Sequence, residues 1–180
     1  FKQIYLYILK GTVSLWDIPF QLCSIPIYYW LIYPKSKHKD ILEAFLIDFN
    51  GLGAILSFLY PEGMIHKEVI LTAHSFLFHD AVLFISLLTL FKGKGRCEFR
   101  KEIPFYLLLC LMAEIINFSL NGYGEIDMFY INPLVKMNQP VFKDIALYIG
   151  IPFTCVLYVF VLGLGAYIIH IFRRSVDLNN

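Results

Sequence analysis

The stretch IPFQLCSIPIYYW (18–30) places an amide, Gln21, and a thiol, Cys23, between two prolines in a run otherwise apolar and aromatic. A thiol becomes a nucleophile when a neighbouring imidazole lowers its pKa or takes its proton. His79, in FLFHDAVLF (76–84), is an imidazole at comparable depth on a different apolar stretch. Such a Cys–His pair suits acyl transfer through a thioester, with Asn50 or Asn117 orienting the ring or donating to an oxyanion. The same residues also have purely structural readings. A lone Cys in an apolar helix usually acts as a small filler, and intramembrane His and Asn commonly bond one helix to another. Gln21 could satisfy backbone groups freed by Pro19 and Pro26, and Asp17 fits a helix N-cap.

The elements that must position these groups are read from composition. Of 180 residues 58% are hydrophobic and 16% charged, with 17 Phe and 12 Tyr, an aromatic load typical of membrane interfaces. Five apolar stretches are long enough to span a bilayer core, which needs about 20 helical residues, and are expected to be full spans: 15–33, 41–60, 69–91, 103–120 and 145–172. None alternates with period two, so the expected fold is all-α, a polytopic transmembrane helix bundle forming one domain over 1–180. A sixth, truncated span is expected before Lys10. Gly150, Pro152, Gly163 and Gly165 predict a kink or a close helix contact in the last span.

Metal and cofactor chemistry find little support in the spacing. The cysteines Cys23, Cys97, Cys110 and Cys155 form no CxxC pair. His74 and His79 lie five residues apart, about 140° around a helix, and make no two-histidine face. No metal and no cofactor is therefore expected. A net charge of +1 without a basic tract gives no reason to expect nucleic acid as a partner; membrane lipid is the expected partner, and oligomeric state is not legible.

Ionisable groups in lipid are costly and normally face a protein interior or a wet cavity. Here Asp17, Glu43, Asp48, Asn50, His74, His79, Asp80, Glu114 and Asn117 all fall inside the drawn spans. At ~1.5 Å per residue, Cys23, Asn50 and His79 lie about 12–15 Å in from the outer ends of their spans, and His74 and Glu114 about 8–9 Å. Cys110, Glu114 and Asn117 follow i, i+4, i+7 and share one helix face. A polar cavity in the outer half is expected, with Cys23 and His79 as catalytic pair and Gln21, Asn50, His74, Glu114 and Asn117 in support. The loops 34–40 and 92–102 and the tail after Phe172 hold ten Lys and Arg, against three in 61–68 and 121–144, which predicts a cell-membrane protein with a cytoplasmic C-terminus.

Four blocks resemble one family in order and spacing, the YwaF-like bacterial integral membrane proteins. IPFQLCSI resembles a Leu-Pro-Leu-His-Leu-Cys stretch. FNGLGAILSFLYPEG (49–63) resembles Trp-Gly-Leu-x-Gly-x-x-x-Ala-Leu-x-x-Pro-Asp, FLFHDAVLF a Phe-x-x-x-His-Gly segment, and LNGYGEIDMFYINP (120–133) a Gly-x-Asn-Tyr-Met-x-Leu-x-x-x-Pro loop. The family is similar, more remotely, to a eukaryotic transmembrane acyltransferase with a Cys–His pair and to the androgen-induced intramembrane hydrolases with a Thr–His pair. The resemblance implies an intramembrane acyltransferase or lipid ester hydrolase, an acyl lipid as substrate, Cys23 as nucleophile and His79 as base. The chain departs from the pattern at Gln21 (His in the family), Asp80 (Gly) and Ile126-Asp127-Met128 (Asn-Tyr-Met). The competing expectations are a solute or proton transporter using Asp48, Glu114 and His79, and a helix-packing partner protein using its glycines.

Overall fold

The computed structural model describes residues 2–11, 15, 18–33 and 36–177. Asp17 lies outside the described residues. The fold is all-α: α1 (Lys2–Lys10), α2 (Ile25–Ile32), α3 (Lys39–Phe45), α4 (Gly51–Leu59), α5 (Val69–Phe91), α6 (Phe99–Leu120), α7 (Phe142–Ile149) and α8 (Ile151–Asp177). Among the described residues four helical stretches are long and apolar enough to cross a bilayer: Lys39–Leu59, Val69–Phe91, Phe99–Tyr123 and Ile151–Ser175. The chain is thus a multi-pass helix bundle, with the drawn span 69–91 matched residue for residue by α5.

The first drawn span differs. The described part of 15–33 holds a 3-10 turn over Leu22–Ser24 and then α2, eight residues long. At ~1.5 Å per residue eight residues cover about 12 Å, well short of a bilayer core. Proline is the physical reason, since Pro19 and Pro26 each remove a backbone donor and restrict the residue before them.

Between α3 and α4 the helix widens into one π-turn, Leu46–Asn50, whose five residues are all buried. Such single-turn π-bulges concentrate at functional sites. All five side chains are enclosed by protein, so Asp48 and Asn50 are both buried although they stand two apart along the chain. At the far end Gly150, at φ +83°, divides α7 from α8, where a kink was expected from the sequence.

The described residues fall into two compact units, one from 1–21 and 108–159, the other from 22–107 and 160–177. In the second unit the core is aromatic: Phe49 stacks on Phe45 at 4.6 Å and Tyr106 at 4.5 Å, with Phe99 at 5.9 Å. Glycines let its helices approach. A Cβ on Gly51 would meet Ser86 Cβ at 3.4 Å, and one on Gly165 would meet Leu52 Cδ2 at 2.9 Å. These glycines are used within the chain.

Candidate functional site

The most heavily buried ionisable groups belong to the second unit. The π-turn supplies Asp48, the first turns of α6 supply Glu102, and α8 supplies His170 and Arg173 one turn apart. Asp48 and Glu102 are 0% exposed, Arg173 1% and His170 4%, so water solvates none of the four freely. Three contacts converge on one atom. Arg173 Nη2 lies 2.8 Å from Asp48 Oδ2, 3.1 Å from Glu102 Oε1 and 2.7 Å from His170 Nδ1. His170 Nδ1 is itself 3.1 Å from Asp48 Oδ2 and 3.7 Å from Glu102 Oε1.

Hydrogen counting then limits the chemistry. A guanidinium has donors and no lone pair, and Nη2 carries two hydrogens. His170 Nδ1 is within hydrogen-bonding distance of both Asp48 Oδ2 and Arg173 Nη2: a ring protonated on Nδ1 donates to the carboxylate, and a neutral ring protonated on Nε2 accepts from the guanidinium. In the second arrangement one Nη2 hydrogen remains for two carboxylates. Two carboxylates and one guanidinium would leave a net negative charge in an apolar interior, a costly state. One further proton, on the carboxylate pair or on His170 Nδ1, brings the quartet to neutrality. Asp48 Oδ1, Glu102 Oε2 and Arg173 Nε are buried without a hydrogen-bond partner among the described residues. Asp48, Glu102 and His170 also have ligand-type atoms within 4.8 Å of one another, but Arg173 Nη2 fills the position a cation would take.

One side of the quartet is reached from outside. A cleft of about 580 Å³ is lined by His170, Phe99, Tyr167, Arg100, Arg174 and Ser175. The imidazole stands between that cleft and the carboxylates, packed by Phe99 at 5.4 Å between ring centres. Beside the quartet, the Cys97 thiol donates to Glu102 Oε1 at 3.8 Å. Burial, followed by the Glu102 carboxylate, pushes that thiol up to about 12, so it is a proton holder and no nucleophile.

The residues singled out from sequence fall in both units. In the first unit Gln21 Nε2 donates to the Asp127 carbonyl at 2.8 Å and its Oε1 accepts from Phe129 N–H at 2.9 Å. Asn117 pairs both ways with the Met128 backbone, at 2.7 and 3.2 Å. Together they clamp a loop that holds Phe129 and Tyr130 at φ +59° and +58°, a left-handed backbone that non-glycine residues resist. Gln21 is thus a loop brace, and its partners are 106 and 108 residues away rather than backbone freed by the nearby prolines. Glu114 is half-buried in the same unit, and its Oε2 lacks a partner among the described residues.

In the second unit Asn50 Nδ2 donates to the Leu22 carbonyl at 2.6 Å, which pins the Cys23 turn to the π-turn. Cys23 is half-buried, and a Cβ added to Gly53 would lie 4.0 Å from its Cβ. His74 and His79 are half-buried on α5, and His79 Nδ1–H donates to the Ser75 carbonyl at 2.8 Å, which leaves Nε2 with its lone pair. Gly51 and Gly53 project about 200° apart on α4; Gly51 meets Ser86 of α5, and Gly53 meets the Cys23 turn.

Three of the quartet escaped the sequence reading. Glu102 was assigned to the basic loop, because the span was drawn from Ile103 while α6 begins at Phe99. Arg173 was counted as a basic residue of the tail, whereas α8 runs on to Asp177 and buries it. The legible signal was His170 and Arg173 at i, i+3 on an apolar helix, facing an acid, Asp48, with no basic partner in its own span.

Comparison with known proteins finds no matching family model, no matching curated protein and no matching solved structure.

Proposed function

We propose that this chain is a proton-translocating membrane protein, in which the Asp48–Glu102–His170–Arg173 quartet takes up and releases one proton per cycle. The observation that carries the reading is the convergence of two carboxylates and an imidazole on a single guanidinium nitrogen, which requires one further proton. Buried ionisable groups in apolar spans mark proton relays more often than they mark stability, because an apolar replacement would hold the helices as well. His170 faces the cleft on one side and the carboxylates on the other. Protonation of its ring places a hydrogen on Nδ1 and expels Arg173 from that contact, which links proton arrival to a movement of α8. The bias of Lys and Arg toward the loops on the cleft side supports a cleft that opens to the cytoplasm.

The test is reconstitution of the purified protein in liposomes carrying an internal pH dye. An imposed pH gradient should dissipate faster than in empty vesicles, and Glu102→Gln, with unchanged helicity, should bring the rate down to the empty-vesicle value. A Glu102→Gln protein as active as the unaltered chain overturns the reading.

A second reading keeps the intramembrane acyltransferase or lipid ester hydrolase, and one observation favours it: the Ser75 carbonyl holds His79 in the tautomer that leaves Nε2 free as a base. It ranks second because Cys23 and Ser86 meet opposite sides of α4, and His79 lies two turns from Ser86 on the Ser86 face of α5. Labelling by an acyl-ester probe that vanishes in Cys23→Ala and in His79→Gln would promote it; equal labelling in both variants removes it.

A further inference from the structure

A second cavity in the same unit has the make-up of a lipid site. Where α5 ends at Phe91, a cavity of about 140 Å³ opens. Its walls are Leu42, Leu46, Ile85 and Leu88, and its rim carries Lys92 and Lys94. Apolar walls below a pair of ammonium groups, at the end of a bilayer-length helix, match the two halves of a phospholipid: acyl chain and phosphate.

The charge balance at the rim leaves room for an anion. Glu43 lines the cavity, but one of its oxygens accepts from the Tyr33 hydroxyl and the other from Gly95 N–H at 3.1 Å. Lys94 is 3.6 Å from Glu43 and half exposed. Lys39 Nζ rests over the ring of Tyr33, another lining residue, at 5.2 Å. Among the described residues Lys92 is exposed and has no acidic partner. Among the lining residues two lysines thus stand against one carboxylate, Glu43, a net positive rim. The loop that carries Lys92 and Lys94 is held in shape by Gly93 and Gly95 at φ +61° and +73°, and Gly95 lies flat on the Ala44 backbone. The ammonium groups are therefore presented on a fixed turn and not on a floppy tail.

We infer that this cavity binds the phosphate of an anionic phospholipid, with Lys92 and Lys94 on the headgroup and Leu42, Leu46, Ile85 and Leu88 on the first methylenes of the chain. The inference is independent of the proton reading.

Native mass spectrometry of the protein released from mixed phosphatidylcholine and phosphatidylglycerol micelles tests it. Phosphatidylglycerol should be retained over phosphatidylcholine, and the Lys92→Gln/Lys94→Gln protein should retain it about tenfold less. Lys136→Gln/Lys143→Gln, which removes two lysines elsewhere, should leave retention unchanged. Equal retention of both lipids overturns the site, as does equal loss in the two double variants. Displacement of phosphatidylglycerol by the same concentration of inorganic phosphate would show a free-anion site and overturn the lipid assignment. The lysines substituted are exposed, so folding is expected to survive, and circular dichroism before the measurement confirms it.

Discussion

Protons and single atoms decide the chemistry at the scale of the residue. If Glu102 already shares a proton with Asp48, Glu102→Gln replaces a neutral acid by a neutral amide of the same shape. Its cost should be small, roughly 1 kcal/mol, whereas Arg173→Met leaves two carboxylates unpaired and should cost about 3–5 kcal/mol. Thermal unfolding in detergent separates the two; equal losses would show that no proton is shared. Asp127 offers a second test, outside the spans. Burial raises its carboxyl from 3.8 to about 6, and the Asn132 N–H bond only partly offsets this. A raised carboxyl stabilises fully below its unfolded value, and that stability is lost as pH rises through the folded value. Loop 126–132 should therefore lose amide-exchange protection between about pH 4 and pH 6, by at most about 3 kcal/mol. Asp127→Asn should flatten that dependence.

Elements were unequally legible in the sequence, and the reasons are physical. Helix α5 could be read to the residue because a predominantly apolar stretch of 23 residues between Glu68 and Lys92 leaves no competing boundary. The π-turn could not, because LIDFN suits an α-helix locally and the extra residue is set by what Phe49 and Asn50 pack against. Ends drawn by hydropathy stopped short of Glu102 and Arg173, since a charge reads as solvent until its partner on another helix is known. For the same reason Cys23 and His79 could be chosen by depth but not by facing. The turn after α5 was legible only as basic. In space it is a wedge, with Gly95 at φ +73° and its missing Cβ 2.8 Å from the Ala44 backbone nitrogen. Backbone cannot yield as a side-chain tip can, so Gly95→Ala should combine left-handed strain with a clash, costing about 2 kcal/mol or more. A drop in unfolding temperature that Gly63→Ala does not share would confirm it, because a Cβ on Gly63 meets open space.

Orientation joins these parts at the scale of the whole molecule. Burial of Arg173 removes it from the tally of loop charges, yet the remaining bias still stands at nine Lys and Arg against three. Only residues in short loops and near span ends steer insertion, and Lys92, Lys94, Arg96, Arg100, Lys101 and Arg174 all meet that condition. Arg100 and Arg174 also line the cleft that reaches His170. On the proposed reading the quartet would exchange its proton from the side that carries the basic loops, so the buried acids should respond to pH on that side. A C-terminal fluorescent fusion should be bright and a phosphatase fusion inactive in cells. In vesicles sorted by that orientation, the proton movement lost in Glu102→Gln should be blocked by a bulky thiol reagent at Ser175→Cys, on the cleft wall, when the reagent is applied on the C-terminal side alone. Block from the opposite side would place the access route elsewhere and separate the cleft from the quartet.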